Sequence, residues 1–203
     1  MNPSVNNPKR AAIFHGTSGS PAKFWLPSIK RGLEASGYLV YAPTLPNNDK
    51  PNKDTYESFI RASGWDFTNN VLVGHSSGAT TILNLLSADW FPHVEAVVLV
   101  GTFLNERLTK NAPWYTPGQF DDLFLPAYDP ALIRQKADAF YFVHGSNDPF
   151  CDIKDAQKLC SELGGTFITI PNGHHLGDAS GRTELPELEV MLKKDGIITG
   201  SLA

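Results

Sequence analysis

Cysteine is scarce in this chain of 203 residues: Cys151 and Cys160 are the two it has. Two thiols so spaced make neither a disulfide framework nor a metal site, and free cysteines in a reducing cytoplasm are the expectation. Long apolar runs are missing too. The longest charge-free apolar stretch beside a predicted strand, Ala96 to Phe103, falls far short of the ~20 residues a membrane helix needs. Met1 to Arg10 carry no apolar core and no small-residue cleavage site, so no secretory signal is expected. Residues 1–9 read as a flexible tail on a single domain spanning 1–203. Charge is sparse and unbiased, with 17 Lys and Arg against 21 Asp and Glu and a net charge of −4. Without a concentrated basic footprint, no nucleic-acid partner is expected, and no membrane partner either. Hydrophobic residues at 41% and charged residues at 19% exclude a disordered chain. No repeat or low-complexity tract is present, and the oligomeric state is left open.

What is present is an alternation of two periods. Ala11–Phe14, Tyr38–Tyr41, Val71–Val73, Ala96–Val100, Ala139–Val143 and Thr166–Ile170 are short apolar runs with little alternation. Strands buried on both faces of a parallel sheet read this way. Between them, Trp25, Leu26, Ile29 and Leu33 follow the helical period, as do Ala79, Ile82, Leu83 and Leu86. So do Ala156, Leu159, Cys160 and Leu163 after a capping Asp152, and Leu185, Leu188, Met191 and Leu192. The pattern predicts an α/β fold: a doubly wound, mostly parallel six-stranded sheet with helices on both faces and no large cap domain. One Pro-rich, aromatic segment, Thr102 to Asp129, breaks the rhythm; it is either a functional loop or a packed surface loop.

In open parallel sheets, ligands bind beyond the carboxyl ends of the strands, so the residues after each strand matter most. After Val71–Val73 comes Gly74-His75-Ser76-Ser77-Gly78, then a helix. G-x-S-x-G between strand and helix is a nucleophile elbow. The sharp turn strains the serine backbone, and the flanking glycines remove Cβ atoms that would collide. Ser76 is the expected nucleophile, and the Ser77 N–H at the helix start would face an oxyanion. Ser77 as rival nucleophile lacks the flanking glycines. After Ala11–Phe14 comes His15-Gly16-Thr17-Ser18-Gly19, a turn that brings a second N–H, Thr17 first and Ser18 next. No phosphate-loop spacing occurs there.

Asp148 follows the fifth strand in His144-Gly145-Ser146-Asn147-Asp148-Pro149 and can fix an imidazole tautomer. Asp152, Asp121 and Asp122 are its rivals. After the last strand stands Pro171-Asn172-Gly173-His174-His175-Leu176, where two histidines compete for one site. A histidine pair also suggests metal, but no third ligand stands at a diagnostic spacing, so no metal and no cofactor is expected. His75 and His144 read as packed or hydrogen-bonded neighbours of the site.

Together these pieces resemble the α/β-hydrolase superfamily, whose triad runs Ser, Asp, His along the chain. More narrowly, the chain resembles the small serine hydrolases grouped with retinoblastoma-binding protein 9 and its bacterial YdeN-type relatives. The matching pieces are Ile13-Phe14-His15-Gly16, Leu45-Pro46-Asn47-Asn48-Asp49, Gly74 to Gly78, His144 to Pro149 and Gly173-His174. The resemblance implies Ser76 as nucleophile, Asp148 as acid and His174 as base, the family placing its base after a glycine and before an aromatic or aliphatic residue. It implies a serine hydrolase of the carboxylesterase kind, cleaving a small ester, or an amide or thioester, without a cofactor. An acyltransferase with the same triad and a non-catalytic binding protein on a hydrolase scaffold are the alternatives. With no cap domain the acyl pocket should be shallow, and His15, Phe103 and Trp114 are the candidate substrate contacts.

Overall fold

In the computed structural model, which describes residues 8–199, the apolar runs form six parallel strands. They are β1 (Lys9–Phe14), β2 (Tyr38–Tyr41), β3 (Asn70–His75), β4 (Val94–Val100), β5 (Ala137–Gly145) and β6 (Thr166–Ile170), in the order β2-β1-β3-β4-β5-β6. All five pairings are parallel. The strands outrun the apolar runs at their polar ends: Lys9 already pairs with Tyr38. Of the expected tail, residues 1–7 lie outside the described residues.

Successive side chains of the central strands face opposite ways, and both sides are covered. Ala11, Ile13, Val71, Val73, Val98 and Val143 pack beneath α1 (Leu26–Ala35) and α6 (Pro186–Lys194), whose Leu26, Ile29, Leu33, Leu188 and Leu192 are buried. Ala12, Phe14, Leu72, Val97, Leu99 and Phe142 pack beneath α2 (Lys53–Ala62), α3 (Ser77–Leu86), α4 (Pro130–Arg134) and α5 (Ile153–Leu163). Burying each such side chain contributes about 1.5–3 kcal/mol, which is why two-sided strands hold the sheet without alternation. Helices α2 and α4 are not marked by a predicted apolar stripe. Instead Asn52 caps α2 by accepting from the Thr55 amide at 2.8 Å, and Asp129 caps α4 by accepting from the Ala131 and Leu132 amides.

The Thr102–Asp129 segment builds a small core of its own. Phe103, Phe120 and Leu123 are buried in it together with Cys151. Among the described residues no helix is long and apolar enough to cross a membrane. The strand order reverses at β1, which has β2 on one side and β3 on the other. That switch point opens a crevice at the carboxyl ends of β1 and β3, where His15-Gly16-Thr17 and Ser76 stand.

Candidate active site

Ser76 stands at the tip of the turn between β3 and α3, with φ 56° and ψ −124°, a region closed to most L-residues. The turn is feasible because its neighbours lack side chains. A Cβ on Gly74 would lie 2.7 Å from the Ala79 backbone, and one on Gly78 would lie 2.2 Å from the Phe14 carbonyl oxygen. The Ser76 amide continues the sheet by donating to Val100 O at 2.8 Å.

The Ser76 hydroxyl lies 2.9 Å from His175 Nε2, and His175 Nδ1 lies 2.9 Å from Asp148 Oδ2. The Asp148 side chain is fully buried, and its Oδ1 accepts from the amides of Phe150 and Cys151 at 2.9 and 3.1 Å. Burial pushes its carboxyl up, but the His175 hydrogen bond and charge and the Phe150 amide outweigh that, and the net direction is down. An ionised Asp148 accepts only, so His175 carries its proton on Nδ1 and turns a bare Nε2 toward the Ser76 O–H.

The imidazole in this chain therefore belongs to His175, where the resemblance implied His174. The loop turns over these two residues, with the Leu176 amide donating to Gly173 O at 3.0 Å. Their rings diverge: His174, at φ 49°, faces the β5–α5 loop, with its amide on Asn147 Oδ1 at 2.8 Å and its Nδ1 3.4 Å from Asn147 Nδ2. The available signal was the second half of the family pattern, a base before an aliphatic residue: His175 precedes Leu176, which is buried.

The Ser77 amide opens helix α3, so the helix itself offers it no carbonyl. Thr17 is tied to that helix start by its hydroxyl, which donates to Ser77 Oγ at 3.0 Å. The Ser18 amide, the second candidate of that turn, is engaged elsewhere, on Asn48 O at 2.9 Å. His15 holds the turn from beneath. Its Nδ1 donates to Gly16 O at 2.8 Å and its Nε2 accepts from the Leu45 amide at 2.9 Å. Burial lowers its basicity, so the ring is a neutral buttress.

A cavity of about 520 Å³ opens beside Ser76 and His175, larger than the shallow pocket expected. Phe24, Trp114 and Phe150 give it aromatic walls, and Trp114, 45% exposed, packs edge-on against Phe150. His15 lines this cavity, with both ring nitrogens already engaged. Phe103 does not reach it: the ring is buried among Phe120 and Phe124, because an unpaired long segment must bury its own aromatics to stay ordered.

Both cysteines are free and buried. Cys151 Sγ donates to Gly101 O at 2.9 Å and lies 3.6 Å from His175 Nδ1. Burial pushes its thiol pKa up. Asp148, Cys151 and His175 gather donor atoms within 4.8 Å of one another, the spacing a cation would need. Each of these atoms is already committed to a hydrogen bond, and Cys151 is unlike the histidine ligand that a His174-His175 pair would have supplied.

Six parallel strands wound on both sides, with an elbow serine at the switch point and no large cap, define an α/β-hydrolase. The chain belongs to the serine hydrolase family, whose model, described as "Serine hydrolase", matches residues 11–194. Within it the chain is YdeN-like. It is 24% identical to the YdeN protein of Bacillus subtilis (strain 168) over 180 residues, 88% of this chain and 91% of that one. The crystal structure of the B. subtilis ydeN gene product superposes with a TM-score of 0.79 at 20% identity, covering 92% of this chain and 97% of that chain. The carboxylesterase CesB (YbfK) from B. subtilis shares the fold more distantly, with a TM-score of 0.62 at 16% identity over 94% of this chain and 85% of that chain.

Proposed function

We propose that this protein hydrolyses a small carboxylic ester through an acyl-enzyme, with Ser76 as nucleophile, His175 as general base and acid, and Asp148 as its orienting carboxylate. The observation that carries this reading is the hydrogen-bond chain from the buried Asp148 through His175 to Ser76, 2.9 Å at each step. His175 takes the Ser76 proton as the oxygen attacks the carbonyl. Asp148 holds the Nδ1–H tautomer and stabilises the imidazolium that forms. The Thr17 and Ser77 amides donate to the oxyanion, aided by the N-terminus of α3. His175 then protonates the leaving alcohol, and water attacks the acyl-serine by the same route.

A cavity of about 520 Å³ with aromatic walls suits an uncharged small-molecule ester. The esterase names carried by structural neighbours support an ester ahead of an amide or thioester. Two free thiols fit a cytoplasmic location. The test is hydrolysis of p-nitrophenyl esters of increasing chain length by the wild type and by Ser76→Ala. Loss of about 10⁴-fold or more in Ser76→Ala is expected; unchanged turnover in that variant overturns the assignment.

A further inference from the structure

His175 sits in a loop that is strained on either side of it. Asn172, His174 and Leu176 have φ of 51°, 49° and 54°, and non-glycine residues persist there only where neighbours hold them. Two buried ring N–H groups do so. His75 Nε2 lies 2.9 Å from His175 O, and Trp25 Nε1 lies 3.1 Å from Leu176 O. These are consecutive carbonyls, gripped from the elbow and from the start of α1, 100 and 151 residues away in sequence. The two donor rings brace each other edge-on at 5.8 Å, and Phe24 packs edge-on against His75 at 5.9 Å.

A carbonyl only accepts, so His75 must carry its proton on Nε2. Its Nδ1 is then a bare acceptor, and it is buried without a partner among the described residues. A buried nitrogen left unsatisfied costs free energy, which the bond made by the other nitrogen must offset. His75 is 3% exposed. Burial, with the nearby His175, takes its pKa down to about 3, so the donor stays neutral and puts no positive charge beside the imidazolium that forms on His175.

We propose that His75 and Trp25 are positioning residues that act through His175: their ring N–H groups clamp its main chain and set the reach of its imidazole to Ser76. This rests on the hydrolase reading above. The elbow residue before the nucleophile thus serves both partners of the Ser76–His175 hydrogen bond, since its backbone places Ser76 and its side chain places His175.

The test measures kcat and KM on one p-nitrophenyl ester, with urea unfolding as a check on the fold. His75→Phe keeps the ring volume and removes the donor. A misplacement of the base of about 1 Å should lower kcat about tenfold to hundredfold; because His75 also borders the cavity, kcat is read at saturating substrate and KM separately. His75→Gln restores an N–H at similar reach and should recover most of that loss. Trp25→Phe should lower kcat in the same direction. Wild-type kcat in folded His75→Phe overturns the proposal, as does a His75→Gln no better than His75→Phe. If His75→Phe does not fold, wild-type kcat in Trp25→Phe overturns it. Ser76→Ala separates the two layers: turnover surviving there sinks the hydrolase reading, whereas a dead Ser76→Ala beside a fully active His75→Phe sinks only the clamp.

Discussion

Replacing the two adjacent histidines one at a time puts the strongest demand on the geometry. His175→Asn removes a ring that touches Ser76 Oγ and Asp148 Oδ2, each at 2.9 Å. Asp148 keeps its two amide donors, so the fold should survive while proton transfer does not. What is left is the oxyanion amides and substrate binding, and kcat/KM should fall by about 10⁴-fold or more, roughly 5.5 kcal/mol of transition-state stabilisation. His174→Asn is the matched control. Asparagine tolerates the left-handed backbone that His174 adopts at φ 49°, whereas alanine would add strain of its own. The His174 amide bond to Asn147 survives, and only a 3.4 Å side-chain contact is lost. Activity should stay within about threefold and stability within about 0.5 kcal/mol. The assay is initial-rate ester hydrolysis at saturating and limiting substrate, with urea unfolding of both variants. A collapse of activity in His174→Asn with His175→Asn still active would make His174 the base and overturn the assignment to His175.

Two other outcomes follow from burial. His75 and His144 have folded pKa values of about 3 and about 4, lowered chiefly by burial from 6.5. Their stabilisation is fully present above the unfolded value and is lost as pH falls toward the folded ones. At about pH 5 the unfolded chain binds protons the folded chain refuses, so each ring should cost about 2 kcal/mol relative to pH 7.5. Urea unfolding at the two pH values reads this directly, and equal stabilities would contradict it. Gly78→Ala would place a methyl 2.2 Å from Phe14 O and 2.6 Å from His15 O; both are backbone atoms that cannot yield. Loss of more than about 3 kcal/mol, or of soluble protein, is expected, and a stable, active Gly78→Ala would show that the elbow is looser than described.

The sheet was legible because its strands are covered on both faces. Residues such as Val71, Leu72 and Val73 alternate between two cores, so the whole run must be apolar. Strand ends such as Lys9 and Arg10 were missed because they are charged and pair while exposed or half-buried. Helix α2 was missed because it buries only Tyr56 and Ile60, too few to stand out as a stripe. The elbow could be read because its glycines answer a local steric need. Which of His174 and His175 reaches Ser76 had only the aliphatic Leu176 as a signal, because the turn is also held by His75 and Trp25 from far along the chain. Phe103 and Trp114 look alike in sequence, yet one is buried and the other borders the cavity; only the folding of the loop onto itself separates them.

In the proposed reaction the Ser76 oxygen is made nucleophilic by the ring of His175, 2.9 Å away. Reaction with a fluorophosphonate, followed by peptide mass spectrometry and by labelling rates, tests it most directly. One adduct is expected, on Ser76, formed at wild-type rate in His174→Asn and slowed by orders of magnitude in His175→Asn. An adduct on Ser77, or labelling of Ser76 indifferent to His175, would contradict it.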